Sequence, residues 1–309
     1  MSNNNESSRQ PHPSLTGGAG GGSKVRNLII RTLTGIVFLA VMIGGILYSP
    51  VTFALLFTVI TSLSVWEFTG IVNQRADVSV NRFICTVAGG CLFVGFFGYA
   101  AGVAGAGVLF VPWLLSMIYM LVAELYLQRE NPLNNWAYAF MSQLYVALPF
   151  SLLCLLEFSG KGVAAAASDS AALGGSPLLI LALYVCLWLN DTGAYCVGSL
   201  LGRHKLFPRI SPGKSWEGSI GGAVVCLVAS QVAAHYLPVL TPLEWAGFAL
   251  VIVVFGTWGD LIESLLKRQM GIKDSGHILP GHGGMLDRFD SSLLAIPAAV
   301  IYLYTLSTF

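Results

Sequence analysis

The sequence predicts an all-α polytopic membrane protein of about nine transmembrane helices, with a cytoplasmic N-terminus and the C-terminus outside. Three observations carry that prediction. Mean hydropathy is +0.73, with 55% of the 309 residues hydrophobic, 10% charged, and seven Trp beside 17 Phe, well beyond what a soluble domain carries. Nine windows approach the roughly 20 apolar residues that a helix needs to cross a bilayer. Threading those windows back and forth puts every one of the 16 Lys and Arg except Lys161 on one side, as the positive-inside rule requires of short cytoplasmic loops. A different span count would scramble that parity.

In chain order, residues 1–23 are Ser, Asn, Gly and Pro without periodicity and read as a disordered cytoplasmic tail. The first span, 28–48, follows Lys24, Arg26 and Arg31 and has no small-x-small cleavage site, so it reads as an uncleaved signal anchor. Spans at 51–71 and 83–101 follow. "GYAAGVAGAG" (98–107) is either a tight turn before a fourth span at 106–126 or part of one long bent segment. A fifth span at 136–156 completes an N-terminal group of helices, 24–157. The C-terminal group, 177–309, holds spans at 178–199, 217–237, 243–263 and 289–307 and two long polar loops. Cys85, Cys91, Cys154, Cys186, Cys196 and Cys226 all lie inside spans without metal-ligand spacing and read as small apolar residues. The basic cytoplasmic face suits anionic lipid headgroups or phosphate substrates, and a nucleic-acid partner is not expected.

Charge inside the hydrocarbon costs at least about 2.5–3.5 kcal/mol per group on insertion scales, so carboxylates within spans attract functional readings. Asp191 interrupts the sixth span, Asp260 lies near the end of the eighth, and Asp287 and Asp290 open the ninth, three residues apart on one helix face. Asp260, Ser264 and Lys267 share a face, with Glu263 beside them. Such acids also complement a helix dipole or reach toward water, and Asp290 fits either reading. Asp260 and Asp287, expected to face each other across a loop, point to an oxygen-ligand metal site. Mg²⁺ is the fitting ion, because it takes one or two carboxylates together with waters and substrate phosphates.

Cations supply the complement. Lys267, Arg268, Lys273 and Arg288 flank the acids in "KRQMGIKDSGHILPGHGGMLDRFDSS" (267–292), as chemistry on phosphate oxygens requires. "PGHGG" places Gly283 and Gly284 beside His282, where backbone N–H groups can approach an anion. The "PGKS" of the other loop is not a Walker motif, since the position that should hold its first Gly is Pro208. That loop offers Ser211, Lys214, Trp216 and Glu217 at the mouth of the seventh span, with Trp216 suited to an interfacial anchor or to stacking a base.

The second loop resembles the signature of the phosphatidate cytidylyltransferases, the CDP-diacylglycerol synthases. Its positions are filled by Ser264, Leu266, Lys267, Arg268, Lys273, Asp274, Gly276, Leu279, Pro280, His282, Gly283, Gly284, Met285, Asp287, Arg288, Phe289 and Asp290. Upstream, "NDTGAY", "GR" and "ISPGKSWEG" are similar to a second conserved region, so the likeness covers roughly the C-terminal 120 residues. Gly213 departs from it, because the family more often has a second Lys there. The N-terminal half resembles the family only in hydropathy.

What the resemblance implies is a reaction of CTP with phosphatidate that gives CDP-diacylglycerol and pyrophosphate. Asp260 and Asp287 would ligate Mg²⁺ with a second cation, K⁺, close by. Lys267, Arg268, Lys273 and Arg288 would clamp phosphates, with Asp274 and Asp290 orienting them or the waters of the metal. His282 would donate to a phosphate or shape its loop, while Asp191, Ser211, Lys214, Trp216, Glu217, Ser264, Gly283 and Gly284 would support nucleotide or headgroup. A homodimer is likewise implied. A bacterial inner membrane is expected because no organelle-targeting segment precedes the first span, and the basic loops put the site on its cytoplasmic face. A different class stays open, namely an ion-coupled transporter, since broken helices with buried Asp also mark cation pathways. No second copy of the Asp260 or PGHGG patterns in residues 1–150 supports the paired halves of that class. A CDP-alcohol phosphotransferase would need an Asp-Gly, Ala-Arg, Gly and Asp series that is missing.

Overall fold

Backbone in hydrocarbon must satisfy its own N–H and C=O groups, so apolar runs of this length become helices. The computed structural model describes residues 20–158, 177–276, 278 and 283–308, with side chains from residue 32 to residue 306. Residues 1–19 of the expected tail, Lys161 and most of PGHGG, His282 included, lie outside the described residues, while 20–23, expected as part of that tail, are the first turn of a helix.

The N-terminal group comprises α1 (Gly20–Leu47), α2 (Pro50–Val72), α3 (Arg82–Ala100), α4 (Ala106–Leu109), α5 (Val111–Leu127), α6 (Pro132–Met141) and α7 (Leu148–Phe158). The C-terminal group comprises α8 (Pro177–Leu201), α9 (Trp216–Tyr236), α10 (Pro242–Gln269), α11 (Leu286–Phe289) and α12 (Ser292–Thr308). Among the described residues, seven helices are long and apolar enough to cross a membrane. Two shorter apolar helices, Thr32–Leu47 and Val111–Leu127, fall where the first and fourth spans were expected. This is an integral membrane protein built of helices.

Local chemistry sets the boundaries. Ser49 and Thr241 each close a capping box, with Thr52 and Glu244, ahead of Pro50 and Pro242 in the first helical turn. "GYAAGVAGAG" is a turn: α3 stops at Ala100 and Gly102 takes φ 74°, a left-handed value that glycine adopts without strain. The expected fifth span is helical throughout but widens into a π turn at Ser142–Ala147. Pro149, just beyond, has no N–H to offer the carbonyl four residues back, a physical reason for the widening.

The fold is that of an all-α polytopic membrane protein, with one small hairpin between α8 and α9: β1 (Lys205–Phe207) and β2 (Ser211–Ser215) pair antiparallel, Lys205 opposite Ser215. Short strands containing Pro and Gly carry too little alternation to announce themselves. One expectation needs correction. The ninth span is interrupted: α11 ends at Phe289 and α12 begins at Ser292, so Asp287 and Asp290 do not share one uninterrupted helix.

Two packing features position the site. Phe289, 1% exposed, has Tyr184 of α8 at 5.9 Å and Phe150 of α7 at 5.5 Å between ring centroids, both edge-on. This aromatic anchor between the two Asp fixes α11 against the bundle. Between α8 and α9, small residues allow the backbones to approach closely, as in many membrane helix pairs. A Cβ on Gly193 would stand 3.0 Å from Gly222 Cα, and one on Gly222 would stand 2.5 Å from Asn190 Oδ1.

Candidate active site

The C-terminal halves of α8 and α10, the start of α9 and the hairpin converge on a cleft of about 540 Å³ lined by Asp191, Tyr195, Lys205, Lys214, Thr257 and Asp260 among others. Asp191 lies ten residues before the end of α8, which at a rise of 1.5 Å per residue is about 15 Å along the helix. The polar pocket thus descends well below the loop ends.

The hairpin brings Lys214 to Asp260, Nζ to Oδ2 at 2.6 Å. Ser264, one turn further along α10, donates its hydroxyl to Asp260 Oδ1 at 3.1 Å. Gly259 makes room for the neighbouring chain, since a Cβ there would lie 2.7 Å from the carbonyl oxygen of Asp290. Lys267 lies 2.5 Å from Glu263 Oε2 and 2.8 Å from Asp287 Oδ1. The other Asp287 oxygen accepts the amides of Ser275, at 2.8 Å, and Gly284, at 2.9 Å. Gly283 adopts φ 81°, which a residue with a side chain would resist, and so turns the chain back toward Asp287.

Asp260 and Asp287 therefore each meet a lysine. Glu263, fully buried, counts both among its charged neighbours. Asp260, Glu263 and Asp191 in turn surround Asp290. Three carboxylates, Asp260, Glu263 and Asp287, thus share the direct contact of two lysines, Lys214 and Lys267, with Asp191 and Asp290 close by. Two buried oxygens, Asn190 Oδ1 and Glu263 Oε1, accept no hydrogen bond among the described residues. No three His, Cys, Asp or Glu side chains among the described residues form a metal cage.

Other anticipated residues are placed differently. Arg268 sends Nε toward the Ile210 carbonyl at 3.4 Å, propping the hairpin. Lys273, Asp274 and Arg288 are exposed at the loop surface, and Trp216 is exposed at the start of α9. Glu217 is engaged with its own loop: it accepts the amides of Arg203 and His204 at 3.2 Å and contacts His204 Nδ1 at 2.6 Å. Ser211 opens β2, at the far end of the strand from Lys214.

Sequence reasoning missed three residues. Asn190 lies beneath the cleft, Glu263 was noted only as a neighbour of Asp260, and Glu67 on α2 went unremarked. Glu67 accepts the amides of Met285 and Leu286 at 2.9 and 2.8 Å, across more than 200 residues. A signal for it existed, since Glu67 is the single charged residue of α2 and the argument from insertion cost applies to it equally.

Comparison with known proteins gives a consistent picture. A model of the family described as "Cytidylyltransferase family" matches residues 29–306. The chain is similar to the phosphatidate cytidylyltransferase of Staphylococcus aureus, 32% identical over 277 residues that cover 89% of this chain and 98% of the relative. It is similar as well to the phosphatidate cytidylyltransferase of Haemophilus influenzae, 30% identical over 290 residues, 86% of this chain and 95% of the relative. The phosphatidate cytidylyltransferase of Staphylococcus saprophyticus is 37% identical over 193 residues, 62% of this chain and 68% of that protein.

Proposed function

The chain belongs to the cytidylyltransferase family, and from that premise we propose that its cleft joins CTP to phosphatidate, giving CDP-diacylglycerol and pyrophosphate. It is a nucleotidyltransferase of phospholipid synthesis, and the transporter reading finds no support. The observation that carries the site assignment is the reach of the first polar loop to α10, Lys214 on Asp260, at a cleft that descends along α8, with the Lys267–Asp287 pair of the second loop nearby.

In the proposed step, a phosphate oxygen of phosphatidate attacks the α-phosphorus of CTP. The bond from that phosphorus to the oxygen bridging it to the β-phosphorus breaks, and pyrophosphate leaves with the electron pair. The attacking oxygen is already anionic, so the protein needs to supply position and compensating charge rather than a strong base. Lys214 and Lys267 supply that charge inside the cleft, and Arg268, Lys273 and Arg288 supply it at the rim. Asp191, Ser264 and the amides of Gly283 and Gly284 orient the substrates. The segment with Ser211, Trp216 and Glu217 shapes the nucleotide side, Asp274 and Asp290 orient the cations, and His282 completes the loop.

A hard divalent cation fits these residues. The donor set is entirely oxygen, the carboxylates outnumber the lysines that touch them, and Asn190 Oδ1 and Glu263 Oε1 are buried acceptors without a donor among the described residues. Mg²⁺ is the proposed ion, held by Asp260 and Asp287, with K⁺ as a second cation; when bound it neutralises phosphate charge beyond what two lysines can. The site faces the cytoplasm of a bacterial inner membrane, the chain crosses nine times with its N-terminus inside, and two copies associate. The basic loops around the cleft support that orientation.

The test is conversion of labelled CTP and phosphatidate into a lipid-soluble product by purified protein, with and without Mg²⁺, beside Asp287→Asn. Mg²⁺-dependent product that disappears in a folded variant is the expected result. No product from stable, lipid-supplied wild type would sink the assignment.

A further inference from the structure

Glu67 reaches the site from the other half of the molecule, and its contacts form a closed circuit with Asp287. Glu67 is 6% exposed, yet both its carboxylate oxygens are engaged. Oε1 accepts the Met285 amide at 2.9 Å, and Oε2 accepts the Leu286 amide at 2.8 Å and the Ser275 hydroxyl at 3.2 Å. That hydroxyl in turn accepts the Asp287 amide at 3.2 Å, and the Ser275 amide donates to Asp287 Oδ2 at 2.8 Å. The two amides immediately before Asp287, and Asp287's own through Ser275, therefore depend on one carboxylate of α2. It caps a helix start in trans, where a local Ser or Asp usually serves.

The glycines of the loop carry a second, independent mark of the same fit. Gly276 and Gly284 are not among the described glycines with positive φ, which are Gly102, Gly271 and Gly283. Their lack of a side chain is needed for space, and Glu67 fills that space. A Cβ on Gly276 would lie 2.7 Å from Glu67 Oε1, and one on Gly284 would collide with both Glu67 Oε2 and Ser275 Oγ. The loop is moulded around this carboxylate.

We propose that Glu67 is a positioning residue for the reaction: through the amides of 285–287 and the Ser275 hydroxyl it holds Asp287 at the angle from which Asp287 meets Lys267 and the substrates' charge. The N-terminal helices thereby own part of the active site. This inference rests on the reading of Asp287 given above. Groups that orient a metal-binding carboxylate typically account for about 10–100-fold in activity or metal affinity.

The test compares wild type with Glu67→Gln, which keeps the shape but turns an NH₂ toward an amide that needs an acceptor. Two readouts are taken on the full-length protein in lipid-supplied detergent: hydrogen exchange of the segment 274–289 by mass spectrometry, and turnover against Mg²⁺ concentration. The expected result is at least tenfold faster exchange in 274–289 with exchange in 190–200 unchanged, a 10–100-fold fall in kcat, a raised Mg²⁺ midpoint, and a KM for CTP within twofold of wild type. Wild-type exchange and Mg²⁺ midpoint would overturn the inference, as would a lowered melting temperature with unchanged turnover per folded molecule. If wild type makes no CDP-diacylglycerol, the reaction assignment fails and the exchange readout still decides whether Glu67 holds the loop. Should Glu67→Gln not fold, Ser275→Ala opens the same circuit from the loop side, with the same outcomes expected.

Discussion

Two buried polar clusters in this molecule look alike in composition and differ in balance. In the N-terminal group, Glu124 accepts Arg129 Nη1 at 3.0 Å on one oxygen and Asn135 Nδ2 at 2.9 Å on the other. Asn135 Oδ1 takes the Ser79 amide at 2.7 Å, and Arg129 also donates to the Ser79 carbonyl. One acid meets one base, and the void beside them is about 20 Å³, too small for a substrate. In the C-terminal group, Asp260, Glu263 and Asp287 contact two lysines, with Asp191 and Asp290 close by, beside a cleft of about 540 Å³, and Glu263 Oε1 and Asn190 Oδ1 are left without donors among the described residues. A closed network stabilises a fold, whereas an open one with surplus charge is arranged for something that binds.

That contrast can be broken by substitution, and the expected effects fall in order. Asp287→Asn should lower turnover about a thousandfold, several kcal/mol of charge stabilisation expressed as rate. It should leave the melting temperature within a few degrees, because Lys267 keeps Glu263 at 2.5 Å. A variant with near wild-type turnover would remove Asp287 from the machinery. Lys214→Ala should reduce kcat/KM about a hundredfold, the scale of one lost charge-stabilising donor; an unchanged kcat/KM would mean that the lysine only holds the hairpin. In the closed cluster the signature reverses. Asn135→Ala strands a Glu124 oxygen and the Ser79 amide and should destabilise by about 1–3 kcal/mol, while turnover per folded molecule stays at the wild-type level. Lost turnover without lost stability would show that the N-terminal cluster is not merely structural.

The smallest effect belongs to the surface pair at the α2–α3 loop. Hydrogen bonds from Arg75 at 2.8 and 2.9 Å hold the Asp77 carboxyl below its usual range. A carboxyl lowered on folding contributes stability above its ordinary range and loses it as pH falls through the lowered one. Asp77→Asn should therefore flatten a slight acid-side slope in the melting temperature and leave turnover untouched. A change in turnover would contradict the assignment of function to the other cluster.

Most of the architecture was legible because a bilayer leaves backbone few choices. Several expected windows coincide with a described helix to within a few residues, α9 at Trp216–Tyr236 against 217–237 for example, whereas α1 begins well before its window and α10 runs past its own. The proposed site residues are readable as a group where they are local in sequence, from Ser264 to Asp290. The grouping is opaque where contact depends on the fold. Nothing near Asp260 announces that Lys214 will reach it, because a short hairpin with irregular register carries the lysine there. Nor does the sequence around Glu217 announce that its carboxylate accepts the amides of Arg203 and His204. The helix break after Phe289 had a weak signal, because Asp290, Ser291 and Ser292 are residue types that favour caps and turns.

The close contact of α8 with α9 has a consequence for how this cleft can vary. Ile220, Val224 and Val228 of α9 are exposed on the molecule's apolar exterior, and Gly222 faces inward among them toward Asn190. A single methyl at 222 would have to displace an amide that borders the cleft. The pocket's contour is thus dimensioned partly from behind, so that one carbon atom on an otherwise greasy helix, never in touch with nucleotide or phosphate, can reshape what the cleft accepts.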